Sequence, residues 1–267
     1  MLKKVAVVIP CYRNTISAYE KIALQQCESI LSAYPKIIIK PNHLTLSDET
    51  KIVSVSAIEN FDEHYFASIA GYNRLMLTPE FYARFIDYEY ILIYQLDAFV
   101  FSDELTYWCN ADIDYIGAPW IRPTHDKSNI ETLELKVKSY LYTRYNVHRK
   151  GLPSDKQFIN KVGNGGFSLR RVKVFHDITL SMQPKIHFYL SSNNFHYNED
   201  AFWSIEVNRK KRILNIPFYK TALKFAFEFH PERAYNLNHQ QLPFGCHAWD
   251  KQVDFWRPIF KKYNFII

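Results

Sequence analysis

Glycine is scarce in this chain, seven among 267 residues, well under half of its usual share of about 7%. That scarcity excludes a glycine-rich linker. It also makes one cluster conspicuous, because three of the seven crowd into Gly163-Asn164-Gly165-Gly166, where unusual backbone geometry or close ligand approach is expected. Cysteine is sparse too. Cys11, Cys27, Cys109 and Cys246 lie far apart without a C-x-x-C pair, which excludes a zinc knuckle and a disulfide scaffold and predicts a reducing, cytoplasmic setting. Every apolar run is broken before the ~18 to 20 residues that a spanning helix needs. At the N-terminus, Lys3 and Lys4 precede a short apolar run that ends in Pro-Cys-Tyr-Arg with no small-residue cleavage site. A first strand is expected there, not a signal peptide.

Apolar residues make up 48% of the chain, enough for a substantial core and incompatible with disorder as the main state. The net charge of +6 and a pI near 8.9 suit an anionic small-molecule substrate, an anionic membrane surface or nucleic acid alike.

The first half alternates strand-like and helix-like segments. Val5 to Ile9 is a continuous apolar run, the pattern of a strand buried on both faces. Ser17-Ala18-Tyr19-Glu20 has capping-box spacing, and Tyr19, Ala23, Cys27 and Leu31 form one helical stripe that stops at Pro35. Ile37 to Ile39 and Ile52 to Val55 predict two short strands. Thr78-Pro79 predicts a capped helix start, and Tyr88 to Leu96 another buried strand. This rhythm predicts an α/β sandwich with a mainly parallel central sheet and helices on both faces. It lapses between about 121 and 161, a basic and aromatic excursion with an expected helix from Ile130 to Tyr142. A strand at Phe167 to Leu169, a helix from Val172 to Ser181 and a helix from Asp200 to Lys210 should follow. The whole of 1–267 reads as one domain.

Four constellations could carry chemistry. Asp97 falls where the apolar strand Tyr90 to Leu96 runs out, the edge at which open parallel sheets place ligands; it reads either as a hard-cation ligand or as a capping, salt-bridged carboxylate. Gly245-Cys246-His247-Ala248-Trp249-Asp250-Lys251 sets an imidazole four residues before an ammonium, parts suited to a metal and a diphosphate, although such a histidine is more often packed or hydrogen-bonded. Gly163-Asn164-Gly165-Gly166 offers backbone amides to sugar or phosphate oxygens, or forms a tight turn. It has neither a P-loop ending nor a G-x-G-x-x-G fingerprint. Asn198-Glu199-Asp200 places adjacent carboxylates ahead of an apolar helix, as catalysts or as caps against the helix dipole.

Taken in this order, Asp97, Gly-Asn-Gly-Gly-Phe-Ser-Leu-Arg at 163–170, Asn-Glu-Asp at 198–200 and His-Ala-Trp-Asp-Lys at 247–251 resemble GT-A fold glycosyltransferases. The chain is similar in particular to a group of bacterial surface-polysaccharide glycosyltransferases first catalogued as a domain of unknown function. The likeness runs from Val5 to Trp256. It implies a nucleotide-diphosphate sugar as donor, a UDP-hexose, with Mn2+ or Mg2+, and a saccharide or lipid-linked saccharide as acceptor. By this resemblance Asp97 and His247 are the metal ligands and Lys251 a diphosphate contact. Pro10, Tyr12 and Arg13 lie where such enzymes hold the nucleotide, and Gln95, Asn164, Gly165 and Gly166 complete the donor site. Gln95-Leu96-Asp97 departs from the family's Asp-x-Asp motif, because Gln95 replaces its first carboxylate. Glu199-Asp200 is similar to the acidic pair of inverting members, with Asp200 as the base; retaining enzymes also carry acidic residues near this position.

Two other classes of function compete. Asn208-Arg209-Lys210-Lys211-Arg212 and the basic excursion suggest nucleic acid, but no RNP, helix-turn-helix or zinc signature accompanies them. A metal-dependent phosphohydrolase could use Asp97, Asp200 and His247, yet the sequence lacks the clustered ligands of a two-metal site. Cations and aromatics in Lys136 to Lys150 and Trp256 to Lys262 predict peripheral contact with the inner face of the cytoplasmic membrane.

Overall fold

The computed structural model of the chain describes residues 2–123 and 128–267, except the Asn129 side chain. Residues 124–127 of the excursion lie outside the described residues. In chain order the strands are β1 (Lys3–Pro10), β2 (Lys36–Pro41), β3 (Val55–Phe61), β4 (Tyr88–Tyr94), β5 (Phe99–Val100), β6 (Tyr115–Ile116), β7 (His148–Arg149), β8 (Leu152–Pro153), β9 (Phe167–Arg171), β10 (Ala226–Phe227) and β11 (Gly245–Cys246). Six of them form the central sheet in the order β3-β2-β1-β4-β9-β6. The four on the β3 side are parallel, whereas β9 runs antiparallel to both β4 and β6.

The apolar runs explain the middle of this sheet. Successive side chains of a strand point to opposite faces, and here both faces are covered. Val5, Val7, Ile9, Tyr90, Leu92 and Tyr94 enter one core, and Ala6, Val8, Ile91 and Ile93 enter the other. The helix Ala18–Leu31 packs on the first face. Its start is fixed as expected, with Ser17 accepting from the Glu20 amide while the Glu20 carboxylate accepts from the Ser17 amide. Thr78 likewise caps Pro79–Ala83, and Val172–Ser181 is helical as expected.

The excursion holds its expected helix, and three local expectations change. Residues Asp48–Ile52 form a single helical turn capped by Ser47, with Asp48 and Glu49 in its first turn, so the strand begins only at Val55. It is an edge strand with most of its side chains exposed, which removes the need for a continuous apolar run. The segment from Asp200 is not one regular helix. One α-turn, Glu199–Ala201, widens into a π-helical stretch, Phe202–Glu206, a geometry frequent at functional sites. In the excursion, the Asn129–Arg144 helix is followed by the small hairpin β7-β8. Finally, Trp256 and Phe260 are wholly buried with Phe99, Phe101 and Trp249. These two aromatics of the expected membrane segment therefore pack as core.

Candidate active site

Strand register brings the dispersed motifs together. β4 ends at Tyr94, and the Gln95 amide donates to the Gly166 carbonyl, tying the strand exit to the glycine segment. After the turn at Gln95–Ala98, β5 pairs antiparallel with β11, so that Phe99 faces Cys246. His247 therefore emerges beside Asp97. β10 pairs with β11 on the other side, Phe227 opposite Cys246, and this sets Glu228 beside the same imidazole.

His247 is consequently gripped at both ring nitrogens. Nε2 lies 3.1 Å from Asp97 Oδ1 and 3.1 Å from Gln95 Oε1. Nδ1 lies 3.1 Å from Glu228 Oε1 and 3.0 Å from Asn164 Nδ2. Burial works against the charged imidazolium, but Asp97 and Glu228 outweigh it and push the pKa up to about 10. Burial also pushes the Asp97 carboxyl upward; His247 and, more weakly, Lys251 overcome this and hold it below its ordinary value.

Part of the glycine segment's backbone is engaged by the protein itself: Asn164 Oδ1 accepts from the amides of Gly166 and Phe167 at 2.9 and 3.1 Å, and the Gly163 amide donates to Ala118. The positive φ belongs to Asn164, at 124°, and not to the glycines around it. What the glycines supply is room for side chains. A Cβ on Gly165 would sit 1.9 Å from Glu199 Oε1, and one on Gly166 would sit 2.0 Å from His247 Nε2 and 2.6 Å from Gln95 Oε1.

The acidic pair divides. Glu199 is buried and accepts from Arg170 Nη2 at 3.0 Å, in an ion pair closed from solvent on both sides. Arg170 is further held by Tyr82 Oη at 2.9 Å and Ser168 Oγ at 3.1 Å. The second Glu199 oxygen, Oε2, is buried without a hydrogen-bonding partner. Among the described residues Asp200 has no counter-ion of its own. One of its oxygens accepts from the Ala201 amide at 2.8 Å, while burial, reinforced by Glu199 and Glu228, raises the carboxyl to about 7. The turn before the pair is fastened by Asn73, which donates to Asn198 Oδ1 at 2.9 Å and accepts from the Glu199 amide at 3.3 Å.

Gln95, Asp97, Asn164, Gly165, Gly166, Glu199, Asp200 and His247 thus converge. Tyr12 is exposed at its outer face; burial of the rest of the ring raises its pKa, and the charges of Glu20 and then Asp97 add to the rise. Lys251 is exposed at the rim. Pro10 is buried as the last residue of β1, paired with Ile39 and level with the exit of β4, and Arg13 pairs with Glu20 at 2.6 Å. Three residues missed in the sequence belong to the site: Glu228, Asn73 and Tyr72, whose buried hydroxyl feels Gln95, Arg170, Glu199 and Asp97. Glu228 had a signal, a carboxylate interrupting Ala-Phe-Glu-Phe at 226–229, and Arg170, read only as the end of the glycine motif, joins them as the partner of Glu199.

The fold is that of GT-A glycosyltransferases. Core-mannan synthase A from Aspergillus fumigatus, in its Mn/GDP form, superposes with a TM-score of 0.52 at 10% identity, over 82% of this chain and 73% of that one. The galactosyltransferase LgtC, in complex with donor and acceptor sugar analogs, gives 0.50 at 12% identity, over 91% and 86%. No curated protein matches by sequence. Residues 56–247, most of the chain, match the family described as protein of unknown function DUF5672, and the chain belongs to that family.

Proposed function

We propose that the protein is a glycosyltransferase that moves a hexose from a nucleoside-diphosphate donor, a UDP-hexose, to a saccharide or lipid-linked saccharide acceptor with inversion at the anomeric carbon. What supports this is one observation: Gln95, Asp97 and His247 meet Glu199 and Asp200 across Gly165-Gly166, beyond the end of a parallel strand. That is the edge at which such sheets bind nucleotides.

Asp97 Oδ1 and His247 Nε2 suit one divalent ion. They stand 3.1 Å apart, and octahedral ligands with bonds near 2.1 Å have neighbours about 3 Å away. Glu228 at Nδ1 supplies the carboxylate that commonly orients a metal-bound imidazole. Among the described residues no group of three or more His, Cys, Asp or Glu could hold a metal, so the remaining ligands would be the Gln95 side-chain carbonyl and donor phosphate oxygens. Bound there, Mn2+ or Mg2+ would offset the negative charge that develops on the diphosphate.

Asp200 is the base in this proposal. Its carboxylate takes the proton of the acceptor hydroxyl, the hydroxyl oxygen bonds to the anomeric carbon, and the bond from that carbon to the β-phosphate oxygen breaks with its electron pair leaving on UDP. Lys251 supplies positive charge at the rim, and Tyr12 offers a ring to the nucleotide base. Glu199, fixed by Arg170, has one oxygen for a sugar hydroxyl. A cytoplasmic enzyme on the inner face of the membrane would meet a lipid-linked acceptor there.

Calorimetry with UDP and with GDP tests donor class and metal together. UDP should bind more tightly with Mn2+ than with EDTA, and Asp97→Ala should erase that difference; equal affinities in the parent would remove the metal assignment. Gly166→Ala gives a second probe, because its Cβ would occupy the space of His247 Nε2. It should abolish the metal enhancement as Asp97→Ala does while the chain stays folded.

A further inference from the structure

The Asn129–Arg144 helix is turned inside out. A surface helix normally buries its apolar stripe and exposes its polar one. Here Ser139 and Thr143 are 6% and 9% exposed, with their hydroxyls donating to the carbonyls of Ile159 and Gln157. Ile130, Leu133, Val137, Tyr140 and Leu141 are instead 80, 62, 48, 64 and 42% exposed. At 3.6 residues per turn these five share one face. An apolar stripe of this length on a surface marks a contact site, and the helix's interior face is already fastened by hydrogen bonds.

The charge around the stripe says what covers it. By the same periodicity Lys136 and Lys138 lie on opposite flanks of the apolar face. Lys138 is paired with Glu134, while Lys136 is exposed. Arg144, on the stripe side at the last turn, donates to the Arg209 and Lys210 carbonyls, which draws the exposed Lys210 and Lys211 to this end. Glu134, beside Leu141 on the helix, neutralises Lys138 on one flank, so the positive edge of the stripe is Lys136 and, at the last turn, the exposed Lys210 and Lys211. Such an edge along an apolar stripe matches a surface that is apolar within and anionic at its boundary. A second copy of the chain fits less well, because a two-fold contact through this face would set the same cations against one another.

We infer that the Leu133–Val137–Tyr140 face of this helix docks on an anionic lipid membrane. This goes beyond transfer chemistry and extends the membrane location proposed above by naming the surface that makes the contact. The helix is linked to the acid pair, because Asp155 in the following segment holds His196 at 2.8 Å, three residues before Glu199. The C-terminal tail takes no part, its tryptophan being buried.

The test uses the full chain and vesicles of phosphatidylcholine with or without phosphatidylglycerol. The parent should cosediment with the anionic vesicles, less so as salt is raised, and only weakly with the neutral ones. Leu133→Gln/Val137→Gln should lower that partitioning roughly tenfold or more, with an unchanged melting temperature because both side chains face solvent. All four native cysteines are buried, so a Val137→Cys chain accepts an environment-sensitive fluorophore at one exposed site, and its emission should shift to the blue on anionic vesicles. Unchanged partitioning of the double variant, equal binding to neutral vesicles, or no fluorophore shift overturns the inference. So does a dimer of the parent in lipid-free buffer that the double variant dissociates, since the occupant is then a second copy. UDP binding, measured on the same variants, should stay at the parental level. Its loss in the parent would count against the transferase proposal alone.

Discussion

Asp200→Asn is expected to lower sugar transfer about 10²- to 10⁴-fold, the usual contribution of a general base, or ~3 to 5 kcal/mol in barrier. UDP affinity should change little, because the amide keeps the carboxylate's shape and can still accept from the Ala201 amide. The parent's rate should fall as pH drops through about 7, where burial with Glu199 and Glu228 has raised this carboxyl and protonation removes the base. Stability should move the other way. A carboxyl raised from its ordinary value binds protons more tightly in the folded chain, so its favourable contribution is complete below about pH 4 and is lost as pH rises through about 7. Asp200→Asn escapes that loss. It should melt higher than the parent at pH 8, by a free energy on the order of a few kcal/mol, with the gap closing toward pH 4. A merely capping aspartate predicts neither effect, since Asn caps about as well. Parental transfer rates in the variant would rule out Asp200 as the base.

The neighbouring carboxylate behaves differently in the fold although the sequence writes the two side by side. Glu199-Asp200 reads as a pair of equivalent acids, yet one is neutralised by a buried arginine and the other is left to burial. Nothing local distinguishes them. The distinction comes from β9, whose antiparallel pairing with β4 carries Arg170 inward, and from Gly165, which leaves space for Glu199. Continuous apolar runs such as Val5–Ile9 and Tyr90–Tyr94 were legible because a strand covered on both faces must be apolar throughout. The edge strand β3 was not, since it needs no such run. Asp97 and His247 could be picked out singly by residue type and position, but their meeting depends on pairing between β5 and β11, two residues each, too short to leave a periodic signal. The glycine cluster was located by its composition, but the room it leaves for neighbouring side chains was not legible. Its residues give way to protein side chains, and the strained backbone is at Asn164.

Arg170→Met should cost about 3 to 5 kcal/mol of stability, because it leaves the Glu199 carboxylate buried without its counter-ion. In a chain of this size each kcal/mol is worth roughly 2 to 4 °C, so melting should fall by some 6 to 20 °C, a shift on the order of 10 °C. Glu199→Gln should fall too, since it removes the counter-ion from the arginine side and leaves the cation to neutral groups, the Tyr82 and Ser168 hydroxyls, the Gly165 carbonyl and the Tyr115 and Phe175 rings. That makes Glu199→Gln a poor control for catalysis, as lost transfer in it could reflect a loosened site. Arg170→Met/Glu199→Leu separates the two effects. Replacing both charges with apolar groups of similar volume is often neutral, so the double variant should recover most of the melting temperature lost in either single one. Arg170 also tempers Asp200, acting to lower the carboxyl that burial raises. In Arg170→Met the pH midpoint of transfer should therefore move above about 7. A single variant that melts with the parent would deny the ion pair its structural role, and an unmoved midpoint would show that the arginine's field does not reach the base.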